Sequence, residues 1–155
     1  MKIGGHGLRE HIRMLTPLFG LLGIVWLIRI VLAALGAPTM AIRFASLTVV
    51  GPVSVVLAAV LIHSRQFGSY PSVVLSSFLL NSGVQGLIIV AIAFGEITGM
   101  ENVYTAPEFS FPGADPHHVK HILGHITFGL GISSLVGAAE GCLLLWILRK
   151  LTPHK

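Results

Sequence analysis

Residues 66–95 read QFGSYPSVVLSSFLLNSGVQGLIIVAIAFG, thirty consecutive positions without Asp, Glu, Lys or Arg, bounded by Arg65 and Glu96. A helix that crosses the hydrocarbon core of a bilayer needs about 20 mostly apolar residues. This stretch exceeds that length. Working outward, three more uncharged runs appear: 15 residues between Arg13 and Arg29, 21 between Arg43 and Arg65, and 19 between Lys120 and Glu140. Together they predict an all-α integral membrane four-helix bundle, with spans near residues 15–35, 42–62, 72–97 and 118–148. The whole chain, 1–155, is then a single transmembrane domain.

Composition points the same way. The 155 residues are 54% hydrophobic and 10% charged, and the mean hydropathy is +0.85. An ordinary soluble domain is about one quarter charged. A chain of this size leaves about 30% of its unfolded surface exposed after folding, too much to hide such a composition from water. A soluble globular fold is therefore excluded. Low aromatic content, 8%, and the lack of alternating ten-residue segments argue against an outer-membrane barrel. The first apolar run is longer than the 7 to 15 residues usual in a signal peptide, which predicts a retained span. Cys142 is the single cysteine, so no internal disulfide framework can form.

Cytoplasmic flanks carry an excess of Lys and Arg. With both termini on one side, that side holds Lys2, Arg9, Arg13, Arg65, Arg149, Lys150 and Lys155, and the other holds Arg43 and Lys120. Seven against two predicts both termini in the cytoplasm of a bacterial-type inner membrane, crossed several times. The longer connection between the third and fourth helices then lies outside. It is acidic, with Glu101, Glu108 and Asp115, and it mixes Tyr104, Phe109 and Phe111 with Pro107 and Pro112. That mixture suits a segment lying on the membrane surface or on a partner. Topology accounts for the net charge of +4. No basic surface interleaved with aromatics marks a nucleic-acid partner.

Two charges, Arg29 and Glu140, fall inside the spans. At about 1.5 Å of rise per residue, Ser54, Asn81 and Glu140 share one level, while Arg29, Thr48, Gln85 and Ser134 share the next. One expectation is cross-helix hydrogen bonding, worth about 0.6 kcal/mol per bond. The other is a proton or ion path in which Glu140 titrates and Arg29 is its counter-charge.

The fourth helix carries the most specific pattern. Stepping by four gives His117, His121, His125, Gly129, Ser133, Gly137 and Gly141, a continuous ridge. Its lower part is a small-residue seam of the kind that lets another helix backbone come close. The expected partner of Gly129, Ser133, Gly137 and Gly141 is the first helix, where Gly20 and Gly23 are small, or a second polypeptide. In the upper part, Asp115 followed by Pro116 predicts a helix start. Histidines four apart on a helix share a face and can hold one ion. His121 and His125 form the better pair, His117 joins only if the first turn is irregular, and Glu96 falls at the same level on the third helix. Such a donor set suits Zn, Cu or Fe. Contacts to a partner and a pH-responsive cluster are the competing readings. Haem bound within one chain is disfavoured, because the outer helical histidines all lie on one helix and His11 and His63 lie at the water interface.

No Gly-rich phosphate loop, nucleophile elbow, Cys-x-x-Cys or His-Glu-x-x-His occurs. No catalytic residue is assigned; a non-enzyme is the first reading, and an enzymatic role stays open under the metal-site alternative. The expected function is a structural or accessory subunit of a larger membrane assembly, packing through the small-residue seam of the fourth helix and in contact with lipid and with other membrane subunits or a second copy. A membrane metal-site protein is the alternative, followed by a proton or ion conductor.

Overall fold

The computed structural model describes residues 2–106, 115 and 117–152. In it the uncharged runs fold as four helical stretches long and apolar enough to cross a membrane, Leu8–Ala34, Thr39–Ser64, Tyr70–Thr98 and Val119–Leu151. The chain is an all-α multi-pass protein, with 80% of the described residues helical. A short antiparallel hairpin, β1 (Lys2–Ile3) and β2 (His6–Gly7), precedes them, with Ile3 opposite His6.

Local chemistry sets the helix ends. The first helix, α1 (Leu8–Ala34), begins seven residues earlier than expected. Glu10 reaches back to accept the Gly7 amide at 2.6 Å, which satisfies a donor that would otherwise be orphaned in the first turn. The second span is two pieces, α2 (Thr39–Phe44) and α3 (Leu47–Ser64). Ser46 between them caps α3 by accepting the Thr48 amide. Next, α4 (Tyr70–Thr98) takes Pro71 in its first turn, where no amide is missed. It stops at Gly99, whose φ of 67° lies in the left-handed region that a helix-ending glycine tolerates. The last span is α5 (Val119–Gly124), a π turn (His125–Gly129) and α6 (Leu130–Leu151).

In the bundle, α3 and α4 form the central pair. Both pack on α1 at one flank and on α6 at the other. Leu15 and Leu22 of α1, Val55 and Ile62 of α3, Val73, Leu80 and Ile92 of α4, and Leu145 of α6 are fully buried between them. Outward the helices present Ile24, Leu27, Val31, Phe78, Phe94, Ile132, Leu135 and Leu143. Such a surface is compatible with a lipid bilayer.

The small-residue seam is filled from within. A β-carbon on Gly137 would meet Ser77 Oγ at 2.7 Å, and one on Gly141 would meet Val73 Cγ1 at 2.7 Å. At Gly129 the obstacle would be Gln85 Oε1, also at 2.7 Å. The seam therefore docks on α3 and α4, which corrects the expectation that it faces the first helix or a second polypeptide. Gly20 and Gly23 border open space instead.

The connection between α3 and α4 meets the end of α6. His63 Nε2 lies 2.8 Å from Thr152 Oγ1, and Arg149 donates to the Gly68 carbonyl at 3.1 Å. The hairpin joins them through His6, stacked on Phe67 with ring centroids 3.8 Å apart. This is the termini end. The start of α3 and the turn after α4 make the opposite, loop end.

Candidate functional site

The loop end gathers four histidines, because the start of the last span is irregular. Helix α5 begins at Val119, three residues beyond the expected Asp115-Pro116 start, and Pro116 itself lies outside the described residues. Asp115 still acts as an acceptor, but for the His121 amide six positions on, at 2.9 Å. Desolvation pushes its carboxyl upward; the backbone amides of His121 and Lys120 outweigh that and hold it below the usual carboxylate range. His118, with φ 49°, turns the chain in the left-handed region, which a non-glycine residue occupies at a cost of order 1 kcal/mol.

That turn divides the expected ligand set. His117 Nδ1 and His118 Nε2 face Glu96, at 3.7 and 3.5 Å from its two oxygens. The His117 side chain is 80% exposed, so its contact is a screened surface pair. His121 and His125 turn inward. Their Nε2 atoms are 3.1 Å apart, and their ring centroids 4.9 Å. Glu96 and His117 thus do not join the inner pair, and among the described residues no three His, Cys, Asp or Glu side chains converge on one point. Glu108 lies outside the described residues.

A residue that the sequence placed in a polar layer turns out to belong to the pair. Gln85 of α4 is buried, and its Oε1 lies 2.6 Å from His125 Nδ1. An amide oxygen only accepts, so His125 carries its proton on Nδ1 and leaves the Nε2 lone pair directed at His121. Gly129 makes the approach possible, since any side chain there would occupy the volume of the Gln85 amide. A π turn also suits this place: one extra residue per turn bulges the helix, as such turns commonly do at functional sites.

Beneath the pair, polar groups tie α4 to α6. Asn81 Nδ2 donates to the carbonyls of Ser77 at 2.9 Å and Ser133 at 3.3 Å, and Ser77 Oγ donates to the Ser134 carbonyl at 2.9 Å. Above it, a cavity of about 270 Å³ opens at the loop end, lined by Glu96, Glu101, Thr105 and His118 among others.

The two intramembrane charges do not meet. Arg29 is buried at the loop end, where it donates to Ser46 Oγ at 3.1 Å and lies 4.7 Å from the centroid of the Tyr104 ring. Burial pushes the Tyr104 phenol above its ordinary range, against the pull of the guanidinium. Glu140 instead stands exposed on α6, 11 residues or about 16 Å before the helix ends toward the termini. No described residue hydrogen-bonds or ion-pairs with its carboxylate. The expected Arg29–Glu140 pair is therefore replaced by two separate sites. The shared level of Arg29 and Thr48 does hold, because Ser46 bonds both.

Comparison of the chain with protein-family models, with curated proteins and with solved structures finds no match.

Proposed function

We propose that the protein is an accessory or structural subunit of a larger membrane assembly, docking to another membrane-spanning chain through the outward face of α6. The supporting observation is Glu140. On the lipid-facing surface it interrupts a row of exposed apolar residues four apart, Ile132 and Val136 before it, with Leu143 three beyond. An acidic residue at the centre of a spanning helix costs about 3 kcal/mol, and such residues normally pair with a group on another helix. Inside this chain the neighbouring seam of Gly129, Ser133, Gly137 and Gly141 is already occupied by α3 and α4. The free face is the one that holds Glu140.

The distribution of Lys and Arg supports an orientation with the termini end in the cytoplasm of a bacterial-type inner membrane and the acidic loop end outside. In this reading α6 meets a helix that offers a basic or hydrogen-bond-donating side chain at the level of Glu140. Mass measurement after extraction in a mild detergent tests it. Wild-type protein is expected to run with a second chain or as a multimer, and Glu140→Leu to release it. A wild-type species of 16.5 kDa alone would overturn the proposal.

A further inference from the structure

We propose that His121 and His125 form a binding site for a divalent transition-metal ion of the Zn²⁺ or Cu²⁺ kind, filled through the acidic cavity at the loop end. The site is separate from the α6 face and does not depend on Glu140.

Three features of the geometry support this. First, the two Nε2 atoms are 3.1 Å apart. An ion about 2.0–2.1 Å from each would see them at an angle of about 98°, within the range of a distorted tetrahedral or tetragonal centre. Second, the second shell of His125 is in place, whereas His121 Nδ1 is buried with no hydrogen-bond partner among the described residues and would carry the ring proton when Nε2 binds the ion. The Gln85 carbonyl holds the proton on His125 Nδ1 at 2.6 Å, the arrangement by which ligating histidines are commonly oriented and made more basic. Gln85 is itself fixed in the bundle by the space that Gly129 leaves for it. Third, there is an approach route of the right sign. The cavity of about 270 Å³ presents Glu96 and Glu101, whose carboxylates raise the local concentration of cations. His118 also lines that cavity, 3.5 Å from Glu96 and with its ring centroid 6.1 Å from that of His121, which itself is not in the lining.

Ligand chemistry selects the ion. Two imidazoles favour Zn²⁺, Cu²⁺ and related metals, whereas Mg²⁺ and Ca²⁺ require oxygen donors. The pair supplies two ligands, so the remaining coordination positions go to water. The site is thus open, suited to taking up and releasing an ion or presenting it to a partner. Its donor set differs from the one the sequence suggested: Glu96 serves the approach, and His117 is outside it.

Titration of the full-length protein in lipid nanodiscs with Cu²⁺, followed by electron paramagnetic resonance and competed with Zn²⁺, tests the proposal. One ion per chain with hyperfine coupling to two imidazole nitrogens is expected. His121→Asn and His125→Gln should each abolish that two-nitrogen signal. Gln85→Leu should keep it and weaken binding about tenfold to a hundredfold, and His117→Ala should leave affinity unchanged. Circular dichroism and monodispersity of each variant report whether it folds, and His125→Gln retains a group able to bond Gln85. The proposal is overturned if wild-type protein binds no ion, if the double variant His121→Asn, His125→Gln binds as well as wild type, or if His117→Ala removes the signal.

Discussion

His125 and Gln85 are 40 positions apart in sequence, and their side chains meet at 2.6 Å between the π turn and the middle of α4. The contact takes the Nδ1–H of a part-buried ring out of the apolar interior. Gln85→Leu removes the acceptor while keeping the volume. A buried donor left unpaired costs about 1–3 kcal/mol, so this variant should unfold at lower temperature in detergent. Gln85→Glu, which restores an acceptor, should recover part of the loss. Equal melting of wild type and Gln85→Leu would mean that the bond contributes nothing.

The seam on α6 gives a contrast within one helix. A β-carbon at Gly141 would lie 2.7 Å from Val73 Cγ1 and 3.3 Å from Val55 Cγ1, both on tightly held β-branched residues. Helix association in a bilayer depends on this close approach. Gly141→Ala should therefore cost about 1–3 kcal/mol by overpacking. At Gly131, where a β-carbon would meet nothing within 4 Å, the same change should be neutral. Thermal unfolding of the two variants side by side checks the pair of expectations, and equal losses would count against the packing described for the seam.

The spans were legible because the bilayer imposes one requirement, length without charge, that appears directly in residues 66–95. The contacts between spans were less so. Counting from assumed helix ends set Asn81 level with Glu140, but α6 overhangs α4: Arg149 reaches Gly68, before α4 begins, and Asn81 meets Ser133 instead. The histidine pair followed from i, i+4 spacing alone. Its link to Gln85 did not, because the π turn shifts the face of the helix, and nothing in His125-Ile126-Thr127-Phe128-Gly129 announces an extra residue per turn. His117 fell out of the group for a similar reason, since the left-handed turn at His118 breaks the ridge on which both were placed.

Tyr104 provides a pH-dependent test outside the spans. Burial raises its phenol above the ordinary value of 10.0, and the Arg29 guanidinium opposes that rise. A folded-state pKa above the unfolded one means that the neutral phenol contributes stability below pH 10, and that this contribution is lost as the pH rises through the folded value. Stability should thus fall in the alkaline range, and Tyr104→Phe should flatten the fall while keeping the ring under Arg29. Removing the opposing charge in Arg29→Met should move the phenolate absorbance transition to still higher pH. A transition that stays in place in Arg29→Met would separate the two residues energetically.

Glu140 makes the sharpest prediction, because the folded monomer and the assembly should respond with opposite signs. As long as the chain is alone, the carboxylate sits on an apolar surface among Val136 and Leu143 and carries its desolvation cost unaided. Replacing it by Leu should stabilise the isolated chain by about 2–3 kcal/mol. In the assembly the same carboxylate would be the group that a partner helix recognises, so Glu140→Leu should weaken association even as it strengthens the fold. Glu140→Gln, which keeps an acceptor without the charge, should fall between the two in both measurements. Unfolding of the detergent-solubilised monomer and mass of the extracted complex, read on the same three proteins, decide the matter: if stability and association rise or fall together across the series, Glu140 is a structural element of this chain and not its docking point.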